Sequence, residues 1–113
     1  MCGMFGKCYK NYTGYYFTNY GYSLKSLNLN NLNTSYVTNM GIMFCGCNEL
    51  ISLNLSNFDT SNVYYMRYMF SHCYSLTSLN LSNFDTSKVT NMGYMFSGCN
   101  SLVSLNLSYF DQM

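Results

Sequence analysis

Cys47, Cys73 and Cys99 recur at a spacing of 26 residues, and so do Asp59, Asp85 and Asp111, with Asn33 one period earlier. Columns of identical side chains at strand-like separation permit three chemistries. Thiols about 5 Å apart are close enough to bridge, yet side chains that leave parallel rungs in the same direction have the wrong dihedral for a disulfide. They are read as buried free cysteines, which pack as small hydrophobes. Cys45 lies two residues from Cys47 and faces elsewhere. Cys45, Cys2 and Cys8 are left as the residues open to a disulfide, within or between chains. Stacked carboxylates invite a cation between them, or each bonds the backbone of its own Asp-Thr-Ser turn, which is the preferred reading. A zinc site is not expected, because no CxxC pair occurs and the sole histidine is His72. One histidine supplies no nucleophile–base–orienter set. No catalytic residues, no metal and no cofactor are expected, and the chain reads as a non-enzyme.

Serine and asparagine form the other polar columns. Ser52, Asn54 and Ser56 recur as Ser78, Asn80 and Ser82, and again as Ser104, Asn106 and Ser108. Such an uncharged face is a candidate for recognising a glycan or a protein surface. The alternative is that it merely solvates a sheet, with amides bonding along the column as in other stacked structures. The Thr/Ser pairs of the Asp-Thr-Ser turns also raise ice binding as a minor possibility.

These positions are set by an ungapped internal repeat. Residues 1–23 are irregular. Rungs follow at 24–49, 50–75 and 76–101, and a half rung closes the chain at 102–113; the decapeptide SLNLSNFDTS is identical at 52–61 and 78–87. In each rung LxSLNLxxF alternates with period two, so Leu53 and Leu55 share one side of a strand. Met92, Met95, Phe96 and Cys99 then sit at i, i+3, i+4 and i+7, the pattern of a helix face. Thr90 stands as its cap and Gly98 as its left-handed stop. The expected fold is an α/β solenoid with one short parallel strand and one short helix per rung. It is stabilised by stacking Leu53, Leu79 and Leu105, and Phe58, Phe84 and Phe110, over one another at about 4.8 Å.

LxxLxLxxF followed by DTSxVTNMxxMFxxC resembles the BspA-like leucine-rich repeats of bacterial surface proteins and lipoproteins. The resemblance covers 24–113. It implies a right-handed leucine-rich-repeat coil with a concave strand face, and a role in adhesion or protein contacts at the cell surface. The first 17 residues show no apolar core of a secretory signal. Mid-strand Asn54, Asn80 and Asn106 lie in glycosylation sequons where stacked rungs leave no room for sugars, which argues against a glycosylating route.

Charged residues are 8% of the chain and the net charge is +1, so repulsion between copies is weak and association is favoured. The five Lys/Arg are scattered, which excludes a nucleic-acid footprint, and no run is long enough to span a membrane. GYYFTNYGYSL at 14–24 aligns with GYMFSGCNSL at 93–102, so the chain starts with one half of a rung and ends with the other. Head-to-tail stacking would complete a rung between Tyr16, Phe17 and Tyr20 of one copy and Leu102, Leu105, Leu107 and Phe110 of the next. Such a contact propagates into filaments. Two other readings stay open: the first residues fold over as an ordinary cap, or the chain is a piece of a longer array.

Overall fold

The structure, a computed structural model, describes residues 8–11, 14–17 and 24–107. The 26-residue period is realised as a coil of stacked rungs. Strand β1 (Cys8–Asn11) pairs antiparallel with β2 (Gly14–Phe17). Strand β3 (Ser78–Asn80) pairs in parallel with β4 (Ser104–Asn106), Leu79 opposite Leu105.

The expected helix is absent, so the α/β reading is corrected: no described residue is helical. In its place each rung runs through consecutive tight turns. In the first rung the Met43, Cys45 and Cys47 N–H groups donate to the carbonyls of Met40, Ile42 and Phe44, three residues back, at 3.1–3.3 Å. The intervening N–H groups leave the rung altogether. Met40, Ile42, Phe44 and Gly46 donate to the carbonyls of Tyr65, Arg67, Met69 and Ser71 on the second rung at 2.9–3.0 Å. The second rung repeats this row from Met66, Tyr68, Phe70 and His72 to the third at 2.7–3.1 Å.

This path requires left-handed backbone at two places per rung. Ile42 and Gly46, Tyr68 and His72, and Tyr94 and Gly98 all have φ between 57° and 79°. Each stands third in a four-residue turn, where type II geometry needs φ above zero. A side chain there costs about 1–2 kcal/mol, offset at Ile42, Tyr68 and His72 by the inter-rung bond that the same residue donates. The helix loses for a geometric reason as well. A helix is about 10 Å wide, whereas the stacked rings Phe44, Phe70 and Phe96 advance only 5.5 and 5.8 Å per rung with planes 4° and 3° apart. The rungs therefore stack without the helix per rung that the expected α/β solenoid requires.

The apolar positions of the second half still line the core, most fully in the second rung; in the third, Met95 is buried and Met92, Phe96 and Cys99 are half-buried. Met66, Met69, Phe70 and Cys73 are fully buried, together with Leu53, Leu55, Phe58, Leu79 and Leu81, in one continuous core. Buried threonines join rung to rung beneath the Asp-Thr-Ser turns. Thr34 Oγ1 donates to the Asp59 carbonyl (3.0 Å) and accepts the Asp59 N–H (2.9 Å); Thr60 does the same with Asp85. Their burial removes them as an ice-binding column.

Candidate functional site: the open face of the third rung

Asp59 and Asp85 each bond within their own Asp-Thr-Ser turn. Asp59 Oδ1 accepts the Ser61 N–H (3.0 Å) and hydroxyl (2.6 Å), and Asp85 treats Ser87 alike. Asn33 does the same work uncharged, accepting the Ser35 N–H and hydroxyl. The hydroxyl, and then the N–H, hold both carboxyls below their usual range. A lowered folded-state pKa gives stability that is complete above the unfolded value near 3.9 and is lost as pH falls through the folded one. Urea titrations are therefore expected to show stability falling below about pH 4, with a flatter acid limb for Asp59→Asn/Asp85→Asn. An unchanged acid slope in that variant would contradict the assignment.

Among the described residues Cys45, Cys47, Cys73 and Cys99 form no disulfide with one another. Cys73 Sγ donates to the Phe44 carbonyl and Cys99 Sγ to the Phe70 carbonyl. Burial pushes the Cys47 thiol up to about 11 and raises Cys45, Cys73 and Cys99 as well. The Cys2 and Cys8 side chains lie outside the described residues. Among the described residues no group of three His, Cys, Asp or Glu is arranged to hold a metal. The sole histidine pairs Nδ1 with the Ser71 hydroxyl at 2.7 Å, and Ser71 is fully buried.

On the strand side, Ser52, Asn54, Ser56, Ser78, Asn80, Ser104 and Asn106 are exposed and Ser82 is half-buried; Ser108 lies outside the described residues. Asn54 and Asn80 spend their side-chain oxygens on the Ser56 and Ser82 N–H groups, which curls the chain out of the strand. The column of bonded amides runs instead through Asn57 and Asn83, whose Nδ2 groups donate to the Leu29 and Leu55 carbonyls of the rung before. Between residues 53–56 and 80–83 the strand halves leave a shallow groove of about 150 Å³.

The far side of the third rung is uncompensated among the described residues. Its Met92, Tyr94, Phe96 and Gly98 are the counterparts of Met66, Tyr68, Phe70 and His72, but among the described residues their N–H groups find no acceptor. The core opens at the same level. Leu79 and Leu81 are 3% and 0% exposed, whereas Leu105 and Leu107 are 36% and 38%. Among the described residues Phe96 has a stacked ring on one side only. The first rung is unlike this, with Met40, Ile42, Phe44, Cys45 and Cys47 all buried. Of the expected assembly residues, Leu102 is half-buried and Leu105 and Leu107 are exposed here; the Tyr16 and Phe17 side chains, Tyr20 and Phe110 lie outside the described residues. Periodicity pointed to this end of the coil. It could not show the donor row, which exists only because alternate N–H groups leave the rung.

Among the described residues no helix is long and apolar enough to cross a membrane. No curated protein matches the chain. No solved structure matches it. A family model described as "Mycoplasma protein of unknown function, DUF285" matches residues 11–112, and the chain belongs to that family.

Proposed function

We propose that the protein is a non-catalytic structural module that associates head to tail through the open face of its third rung. The carrying observation is the row of N–H groups at Met92, Tyr94, Phe96 and Gly98, which have no acceptor among the described residues. Donors at every second residue match the carbonyls along one edge of an extended strand. Unpaired edges of this kind recruit further strands. The occupant is the β1–β2 hairpin of a second copy. Each of its strands has one partner among the described residues, so an outer edge is left to meet the row. The buried first rung does not compete for this role, since the hairpin and not that rung is the contacting element. A contact between two different surfaces propagates, and a net charge of +1 does little to oppose it.

The rival reading is a monomeric adhesion module that binds a glycan or protein on its polar strand side. The groove there, about 150 Å³, is below the roughly 300–1,000 Å³ of ordinary ligand pockets. Light scattering across a concentration series separates the two. Association predicts a mass that grows with concentration and elongated particles in negative stain. Phe96→Lys and Leu107→Lys should each remain single chains with an unchanged circular dichroism spectrum. A wild-type chain that stays monomeric at high concentration would sink the proposal.

A further inference from the structure

The second rung abandons the repeat at one surface patch. Where the first and third rungs carry Thr38 and Thr90, Asn39 and Asn91, and Gly41 and Gly93, it carries Tyr64, Tyr65 and Arg67. The fold's own solution at these positions is present twice. Asn39 Oδ1 accepts the Gly41 N–H at 2.8 Å, and Asn91 Oδ1 accepts the Gly93 N–H at 2.9 Å. The second rung gives up that bond for a guanidinium ringed by tyrosines. Arg67 Cζ lies 4.8 Å from the Tyr68 ring centroid and 5.6 Å from that of Tyr94, and those two rings stack at 5.2 Å. Arg67 Nη2 donates to the Tyr68 hydroxyl (3.3 Å), and the Tyr65 side chain is a further hydrogen-bond partner. Tyr65 covers Gly41 so closely that a Cβ there would sit 2.6 Å from the ring, which fixes the tyrosine in place. Tyr64 and Tyr94 remain exposed.

Among the described residues Arg67 has no carboxylate partner; the groups that act on its charge are tyrosines. A guanidinium positioned by aromatic rings suits an anion, which its planar fork binds through two parallel bonds. The exposed Tyr94 ring calls for a flat C–H face, since the ring face carries negative charge density. A bare anion would use only the first feature and a neutral sugar only the second. Nucleic acid is disfavoured by a net charge of +1, because polyanion binding draws on many cations. We infer that this patch binds an acidic saccharide, with a pyranose ring against Tyr94 and its carboxylate on Arg67.

The test uses the full chain, diluted until light scattering shows single molecules, and titrated with a hyaluronan tetrasaccharide or with neutral maltotetraose. Binding is read by isothermal titration calorimetry, because emission from the 13 tyrosines of the chain would not isolate the patch. The acidic probe should bind about tenfold or more tightly than the neutral one, weaken with salt, and lose about tenfold with Arg67→Gln. Arg67→Lys should retain part of the binding, and Tyr94→Ala should lose most of it. Leu107→Lys, on the strand half, should bind the acidic probe as the wild type does while blocking association, so failure of the two proposals is separable. Equal binding of the two probes, no binding at millimolar concentration, or full binding by a folded Arg67→Gln chain would each overturn the inference.

Discussion

Phe70→Ala is expected to cost about 3–5 kcal/mol, a large part of the roughly 5–15 kcal/mol that holds a typical domain together. The ring is fully buried and sits between Phe44 at 5.5 Å and Phe96 at 5.8 Å, nearly parallel to both. Truncation opens a cavity in the middle of the column and breaks two ring contacts, each worth about 0.5–1.5 kcal/mol beyond the area buried. The rungs cannot close over the gap, because the Phe44 and Phe70 N–H groups, bonded at 2.9 Å to the Met69 and Met95 carbonyls, fix the rung separation. Phe96→Ala is the matched control. Phe96 is half-buried with one stacked neighbour, so its loss should cost no more than about half as much. Urea unfolding of both variants measures the difference. Equal costs would mean that the third rung is not open.

Thr60→Val is the second large effect, and it changes almost no shape. Thr60 is 1% exposed, and its hydroxyl both accepts the Asp85 N–H (2.8 Å) and donates to the Asp85 carbonyl (3.0 Å). Valine fills the space but leaves both backbone groups without partners in the protein. A buried polar group left unmade costs about 1–3 kcal/mol; the Asp85 groups are part-buried, so the change should cost about 1–3 kcal/mol in all. Thr60→Ser keeps the hydroxyl and should recover most of it. Hydrogen exchange supplies a local readout, since the Asp85 amide should lose protection in the valine variant and keep it in the serine variant. Unchanged protection in Thr60→Val would show that the hydroxyl is not its acceptor.

The rung length, the register and the inward positions were legible because they follow from side-chain type alone. Leu53, Leu55, Phe58, Met69 and Phe70 are buried as their spacing demands. The backbone of the second half was not legible. Residues at i, i+3, i+4 and i+7 mark one face of a helix, and they also fall on one side of a chain of overlapping four-residue turns. The distinguishing sign is a pair of left-handed positions four residues apart. Glycine marks only one of them, at Gly46 and Gly98, while Ile42, Tyr68, Tyr94 and His72 conceal the others. Gly98 therefore reads as a helix stop when it is one turn among several. The strands are shorter than alternation implies, because Asn80 turns its side chain onto the Ser82 N–H directly after the third residue. At the candidate site, sequence gave the exposed leucines of the last half rung. The row of outward N–H groups had no signal of its own, since it depends on a backbone path that side-chain spacing does not encode. The Tyr64, Tyr65 and Arg67 patch is visible in the sequence as a departure from the repeat, but spacing alone does not show that the guanidinium lies against the rings.

Alternate N–H groups of the turn half leave their rung by one edge, and the next rung receives them on the opposite edge, so the interfaces above and below a rung are of one kind. A 26-residue copy inserted in the middle of the coil would meet surfaces already fitted to it, and deletion of one would rejoin surfaces that also match. Array length is thus a property that heredity can adjust in whole steps, by duplication or loss, without redesigning the interior.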